Sequence, residues 1–349
     1  MLNLSRLRAR VLVTVFTAIA VVGVGGPARA TDPRPPTTNP AKTAAGWLAS
    51  QLTDGDHFTT SFGSDTFDDP GLTADAIVAF AEAKVAGDAG RRATNWLAQP
   101  SILESYIGNG TDTTWAGATA KTALVAEVEG RNPRNFGGVD LIARLTARLE
   151  RSGRFTDQSG FGDFSNAIGQ SLAIIALSRA GSVPSSAVTF LANARCADGG
   201  SPVTFDDKTC TSSVDATGFA VQALLAAGRT AAAADEVEFL LANQASDGGF
   251  GSPKNANSTG LAAQALRAAG KTDAADKAVA FLRHLQLHCG SQPENRGAVR
   301  YTAGAFDPST ATRATAQAIG ALSRVGLLQA SSKGQAPESA SLACSVAAG

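Results

Sequence analysis

The sequence predicts an all-α protein built from six copies of one helical hairpin. Three observations predict it: a short motif recurs along the chain, helix-start and helix-stop residue types flank every copy, and a second helical marker precedes each one.

The first thirty residues read as an export signal. Arg6, Arg8 and Arg10 form a basic start, and Val11 to Val24 is an uncharged apolar run of fourteen residues. That run is short for a bilayer span and suits a signal peptide. Ala28-Arg29-Ala30 supplies the small-x-small cleavage pattern. Cleavage after Ala30 and a secreted product are expected. Residues 31–40, rich in Pro, Thr and Asn, read as a disordered leader. The repeat domain is placed at 41–328 and a C-terminal tail at 329–349.

Charge narrows the function classes. The chain has 30 basic and 30 acidic residues, and cleavage would remove four arginines and no acid. The remaining 26 and 30 give about −4, which argues against a nucleic-acid partner. No later stretch is apolar enough to span a membrane, so the cleaved protein is not expected to be an integral membrane protein. A monomer is expected.

The repeat motif is clearest in Thr217-Gly218-Phe219-Ala220-Val221-Gln222-Ala223-Leu224 and Thr259-Gly260-Leu261-Ala262-Ala263-Gln264-Ala265-Leu266. With the Gln as marker, six slots follow: Asp75, Lys121, Gln170, Gln222, Gln264 and Gln317, spaced 46, 49, 52, 42 and 53 residues apart. Seven residues before each slot stand Asp68, Thr114, Asp163, Asp215, Asn257 and Thr310, all residue types that cap helix N-termini. Each segment ends near a glycine: Gly87, Gly130, Gly181, Gly228, Gly270 or Gly326. These signals define one helix per repeat. A preceding helix is marked by Trp47-Leu48, Trp96-Leu97, Arg144-Leu145, Phe190-Leu191, Phe239-Leu240 and Phe281-Leu282. The repeats fall at about 41–88, 89–131, 138–181, 184–228, 229–270 and 271–326. One hairpin cannot bury both its faces, so neighbours must stack.

Four cysteines allow three pairings, and an exported chain favours disulfides over free thiols. Cys196–Cys210, closing one loop, with Cys289–Cys344, tying the tail back, is the preferred set.

Phe239-Leu240-x-x-x-Gln244-x-x-x-Gly248-x-Phe250 resembles the Gln-x-x-x-Gly-x-Trp repeat of the terpenoid cyclase and protein prenyltransferase superfamily, also described as prenyltransferase/squalene oxidase repeats. Repeat six carries Phe281-Leu282-x-x-x-Gln286-x-x-x-Gly290, with Gln292 in the Trp place. Repeat four keeps the frame from Phe190 to Gly199 with Arg195 for Gln, and repeat one has a looser version in Gln51 and Gly55. The resemblance implies an α/α toroid, with the second helix of each hairpin in an inner ring and the first in an outer ring. Period alone also allows an open solenoid. The long connections between first and second helices favour the closed ring and would gather at one mouth.

The class II cyclases of that superfamily protonate their substrate with an Asp-x-Asp-Asp motif. Its nearest strings here are Asp65-x-x-Asp68-Asp69 and Asp206-Asp207, and neither has the spacing. Asp65, Asp69 and Asp75 are therefore second-rank catalytic candidates. The prenyltransferases hold zinc; His284 and His288, at i and i+4 beside Cys289, are the only comparable pair. No metal and no cofactor are expected. Complement-type thioester domains share the toroid, but Cys289-Gly290-Ser291-Gln292 keeps only part of their reactive string.

The odd slots are Asp75 and Lys121, opposite charges on neighbouring inner helices. An ion pair is expected, either as a packing device or as part of a ligand site. Around it, Phe67, Trp115, Phe164, Phe250 and Phe306, with Phe62 and Phe161, would rim the mouth. The sequence thus points to an exported binding protein rather than a turnover enzyme. Its partner would be a small hydrophobic or isoprenoid-like ligand, or a cell-surface or extracellular protein. The alternatives are a terpene cyclase or prenyltransferase-like enzyme with an altered acid motif, and a carbohydrate-active α/α-ring enzyme.

Overall fold

The inner helices start where a polar side chain can hold the free N–H groups of a first turn, and Ala-rich stretches let neighbouring helices approach closely. The computed structural model describes residues 32–344, of which those from Arg34 onward form one unit. The export signal and its cleavage site lie outside the described residues. Among the described residues thirteen α-helices form six outer–inner pairs. They are α1 (Pro40–Ser50) with α2 (Pro70–Ala83), α3 (Gly87–Leu97) and α4 (Pro100–Ile107) with α5 (Ala116–Val128), and α6 (Leu141–Thr146) with α7 (Ala167–Arg179). Then come α8 (Ser185–Asn193) with α9 (Val214–Ala226), α10 (Thr230–Asn243) with α11 (Ala256–Ala268), and α12 (Thr272–Leu285) with α13 (Pro308–Ser323). Pro100 splits the second outer element into α3 and α4, because a proline disfavours helix at the residue before it. Four short strands accompany the helices among the described residues: β1 (Pro36–Thr37), β2 (Thr59–Phe62), β3 (Asp65–Asp68) and β4 (Ser341–Leu342). β2 and β3 form an antiparallel hairpin, and β1 pairs in parallel with β4.

The ring closes. Inner helices pack in the order α2, α5, α7, α9, α11, α13, and α13 packs back on α2 and α1. Gln286 Nε2 donates to Pro40 O at 2.8 Å and Thr43 Oγ1 at 3.1 Å, and Trp47 Nε1 donates to Glu294 O at 3.1 Å. First and last repeats therefore touch, which rules out the open solenoid. The inner helices are buried nearly all round, so they lack a polar face. Gly117 and Gly169 mark one close crossing, where a Cβ on Gly169 would stand 3.1 Å from Gly117 Cα.

The caps correct the sequence reading. None of the six residues found by stepping back seven places is the cap. Asp69, Asn166, Ser213, Asn255 and Asp307 cap α2, α7, α9, α11 and α13, and α5 is capped from outside by Asp157 Oδ1 on Ala116 N–H at 2.7 Å. Of the stop glycines, Gly130, Gly181, Gly228 and Gly270 do take left-handed φ values of 67–88°. At the other two ends Lys84 and Arg324 hold that conformation instead of Gly87 and Gly326.

The slots also separate once the helices are aligned by their bonds. Thr73, Thr217, Thr259 and Thr315 each accept, through Oγ1 at 2.9 Å, the N–H of Phe58, Ser201, Phe250 or Val299. In repeat three Gln170 Oε1 accepts from Phe155 N–H instead. Gln170 is thus equivalent to those threonines. Two residues further along stand Asp75, Lys121 and Gln317, while Gln222 and Gln264 lie one turn deeper. The slots differ because matching residue identity is not matching helix register.

Gln244 Nε2 ties the end of α10 to α12 through Gly248 O at 3.2 Å and Ala274 O at 2.9 Å. Gln286 bonds Gly297 O in the same way at 3.0 Å, so the partner glycine in repeat six is Gly297, not Gly290, and Val299 stands where Phe250 stands.

Both preferred disulfides are present, Cys196–Cys210 and Cys289–Cys344. The second, with the β1–β4 pair, gives order to part of the segment that composition alone reads as a disordered leader. From Arg324 the chain crosses the end of the ring where the inner helices finish. Arg179 donates to the carbonyls of Leu327, Leu328 and Ala330, and Gln222 Oε1 accepts from Leu327 N–H. Leu327 and Ala330 are buried there.

Candidate ligand-binding site at the ring mouth

The starts of the inner helices and the six long connections meet at the opposite end of the ring. Because α5 and α13 flank α2, their side chains reach one another. Lys121 Nζ lies 2.6 Å from Asp75 Oδ1, and Arg313 lies 3.5 Å from Asp75 Oδ2 and 3.1 Å from Asp69 Oδ2. Two acids and two bases thus neutralise each other. Burial works against the Lys121 ammonium, yet the charge of Asp75 and its hydrogen bond, together with Tyr106, outweigh burial and hold Lys121 above its ordinary pKa. Burial raises the Tyr106 phenol, with Lys121 pulling the other way.

Beside Lys121, between the starts of α5 and α7, is a cavity of about 260 Å³. Its walls include Tyr106, Trp115, Phe155, Phe164, Leu172 and Asp157. The rings of Trp115 and Phe164 stand 6.2 Å apart at 51°. Asp157 accepts from Ala116 N–H at 2.7 Å and from Phe164 N–H at 3.2 Å. Burial raises its carboxyl despite those two donors. Such a site can hold a small molecule against aromatic rings and offer it one ammonium, one phenol and one carboxylate.

The residues singled out from sequence separate into groups. Lys121, Trp115 and Phe164 line the cavity, and Asp75 is bonded to Lys121 behind it. Asp69 caps α2 and pairs with Arg313. Asp65 and Phe67 lie on the exposed β2–β3 hairpin, where the register puts them on one face with Phe62. Phe62 and Phe161 are each 83 % exposed. Phe250 is not a rim residue: it is wholly buried, because the Gly248-x-Phe250 turn folds inward and a Cβ at Gly248 would overlap the Lys277 carbonyl. Phe306 packs edge-on against Trp47. The His284–His288 spacing does not form a helical face, since α12 ends at Leu285. Among the described residues no group of three or more His, Cys, Asp or Glu could hold a metal. Cys289 is oxidised to Cys344, which removes the thioester reading.

Sequence reasoning missed Tyr106, Asp157 and Arg313. Tyr106 lies in α4, which no repeat signal predicts. Arg313 sits four residues before Gln317, one helical turn nearer the mouth, so correct register would have found it.

No protein-family model and no curated protein matches the chain. Solved structures do. An Actinoplanes protein aligns over 82% of this chain and 98% of its own, with TM-score 0.61 and 16% identity. The type II terpene cyclase MstE from Scytonema aligns over 82% and 97%, with TM-score 0.61 and 13% identity. An unsaturated glucuronyl hydrolase specific for heparin aligns over 82% and 96%, with TM-score 0.57 and 13% identity. At these identities the likeness is one of fold: this chain has a terpenoid-cyclase-like α/α toroid.

Proposed function

We propose that this protein binds a small molecule at the ring mouth without turning it over. One observation carries the reading: a 260 Å³ cavity with Trp115 and Phe164 on its walls and Lys121 and Tyr106 at hand. Its volume falls just below the usual range of ligand pockets, which suits a small ligand or one end of a longer one. The three acids that the sequence offers to a cyclase are otherwise engaged. Asp69 caps α2 and pairs with Arg313, Asp75 accepts from Lys121, and Asp65 stands on an exposed hairpin. We also read the protein as exported and monomeric. Two disulfides support export.

The test is native mass spectrometry of the protein purified under mild conditions, beside Ala118→Phe. Ala118 lines the cavity and is only partly buried, so the larger ring fills the hollow. The wild type should carry a retained small-molecule mass that the variant lacks. Equal retention by both, or by neither, would refute the reading.

A further inference from the structure

The binding site leaves its ligand class open, and two independent features narrow it. The first is the distribution of charge. The connections at the mouth (51–69, 108–115, 147–166, 194–213, 244–255 and 286–307) hold fifteen Asp or Glu against eight Lys or Arg, a balance of −7. At the other end, the connections 84–86, 129–140, 180–184, 227–229 and 269–271, with the tail segment 324–338, hold three against seven, a balance of +4. A field of that sign draws cations to the mouth.

The second feature is the cavity wall. Lys121 is neutralised by Asp75, and Arg154 is engaged by Asp163 at 3.1 Å and Asp206 at 2.6 Å. Asp157 accepts only from two backbone amides, so a carboxylate at the wall retains acceptor capacity. Around it stand the rings of Trp115, Phe164 and Tyr106. Aromatic faces attract a cation electrostatically. A primary ammonium would ask for three acceptors. Besides Asp157 the wall carries Ser165, which Arg154 already engages, and Asn166, whose Oδ1 caps α7 through Gly169 N–H; the rest is mainly rings and aliphatic groups such as Leu172 and Ala118.

We infer that the cavity recognises an alkylated ammonium group, held against Trp115, Phe164 and Tyr106 with Asp157 as its counter-charge. This rests on the small-molecule reading above and names its ligand class.

Isothermal titration of the full chain with three probes of one shape tests it: choline, its uncharged carbon isostere 3,3-dimethylbutanol, and the anion 3,3-dimethylbutanoate. Choline should bind about tenfold or more tighter than the alcohol. Trp115→Leu should lose about tenfold for choline, while Trp115→Phe keeps most of the affinity. Asp157→Asn should weaken choline and leave the alcohol unchanged, with thermal melts checking that each variant folds. Equal binding of choline and the alcohol would overturn the inference. So would preference for the anion, which would assign recognition to Lys121. If none of the probes binds yet Ala118→Phe still loses a retained mass, the ammonium inference falls and small-molecule binding stands. If that mass is also absent from the wild type, both fall.

Discussion

Lys121 and Asp75 lie 46 residues apart and meet at 2.6 Å across the seam between two inner helices. Their side chains are 21% and 20% exposed, so the pair is screened from water but not sealed. Arg313 reaches the same Asp75 from the other flank at 3.5 Å.

This asymmetry predicts unequal single mutants. Asp75→Asn leaves Lys121 half-buried without an acid, whereas Lys121→Gln leaves Asp75 with Arg313. Asp75→Asn should cost about 2 kcal/mol and Lys121→Gln about 1 kcal/mol. Urea unfolding of both would check the order, and the reverse order would show that Arg313 does not support Asp75 once Lys121 is gone.

Gln170 is 1% exposed and makes three bonds, to Phe155 N–H, Gly153 O and Ala187 O. Gln264 is also buried, yet its Oε1 has no partner. Gln170→Ala should therefore cost about 2–4 kcal/mol, because it strands buried backbone groups. Gln264→Leu should change stability by less than about 1 kcal/mol. Equal costs would restore the equivalence of the slots.

Stability should fall as pH rises toward 8. Glu82, 4% exposed, has a pKa raised to about 8 by burial and by Asp75, and burial raises Glu236 to about 8 as well. Between the ordinary value of 4.5 and about 8 the unfolded chain has released these protons while the folded chain keeps them. The folded state therefore binds more protons, and unfolding becomes easier with rising pH across that window. Melting curves from pH 5 to 8 should drift downward, and Glu82→Gln should flatten the drift. An unchanged slope in that variant would show that Glu82 is not the source.

Cys289–Cys344 spans 55 residues, so its loss should cost about 4 kcal/mol in a chain-entropy account. In a Cys289→Ser, Cys344→Ser variant, limited proteolysis should cut first beyond Ala340 and spare Leu327, which Arg179 and Gln222 still hold. Cleavage at Leu327 at the same rate would mean that the disulfide anchors the whole tail.

Most of the architecture was legible because helix periodicity, apolar markers and glycine stops are local. Six hairpins follow from spacing; the two cysteine pairs are the preferred set of three possible ones, and the Lys121–Asp75 contact is expected from the ring that the resemblance implies. The errors were of register. Gln170 resembles Gln222 by type but bonds as Thr217 does, since in repeat three the outer helix is short and the inner helix must supply the missing glutamine. Gly290 resembles Gly248 by spacing, but a seven-residue insertion moves the role to Gly297.

By itself the sequence determined that six hairpins form and in what order they follow one another, though not the extra helix α4, because each hairpin must bury the face its own residues leave apolar. Only the tertiary structure decided that α13 returns to α2, that Phe250 points into the core, and that Asp157 and Tyr106 share a cavity with Trp115. Those facts depend on which distant segments come within a few ångströms of one another. Ring closure sets that distance, and it is a property of all six repeats together rather than of any one.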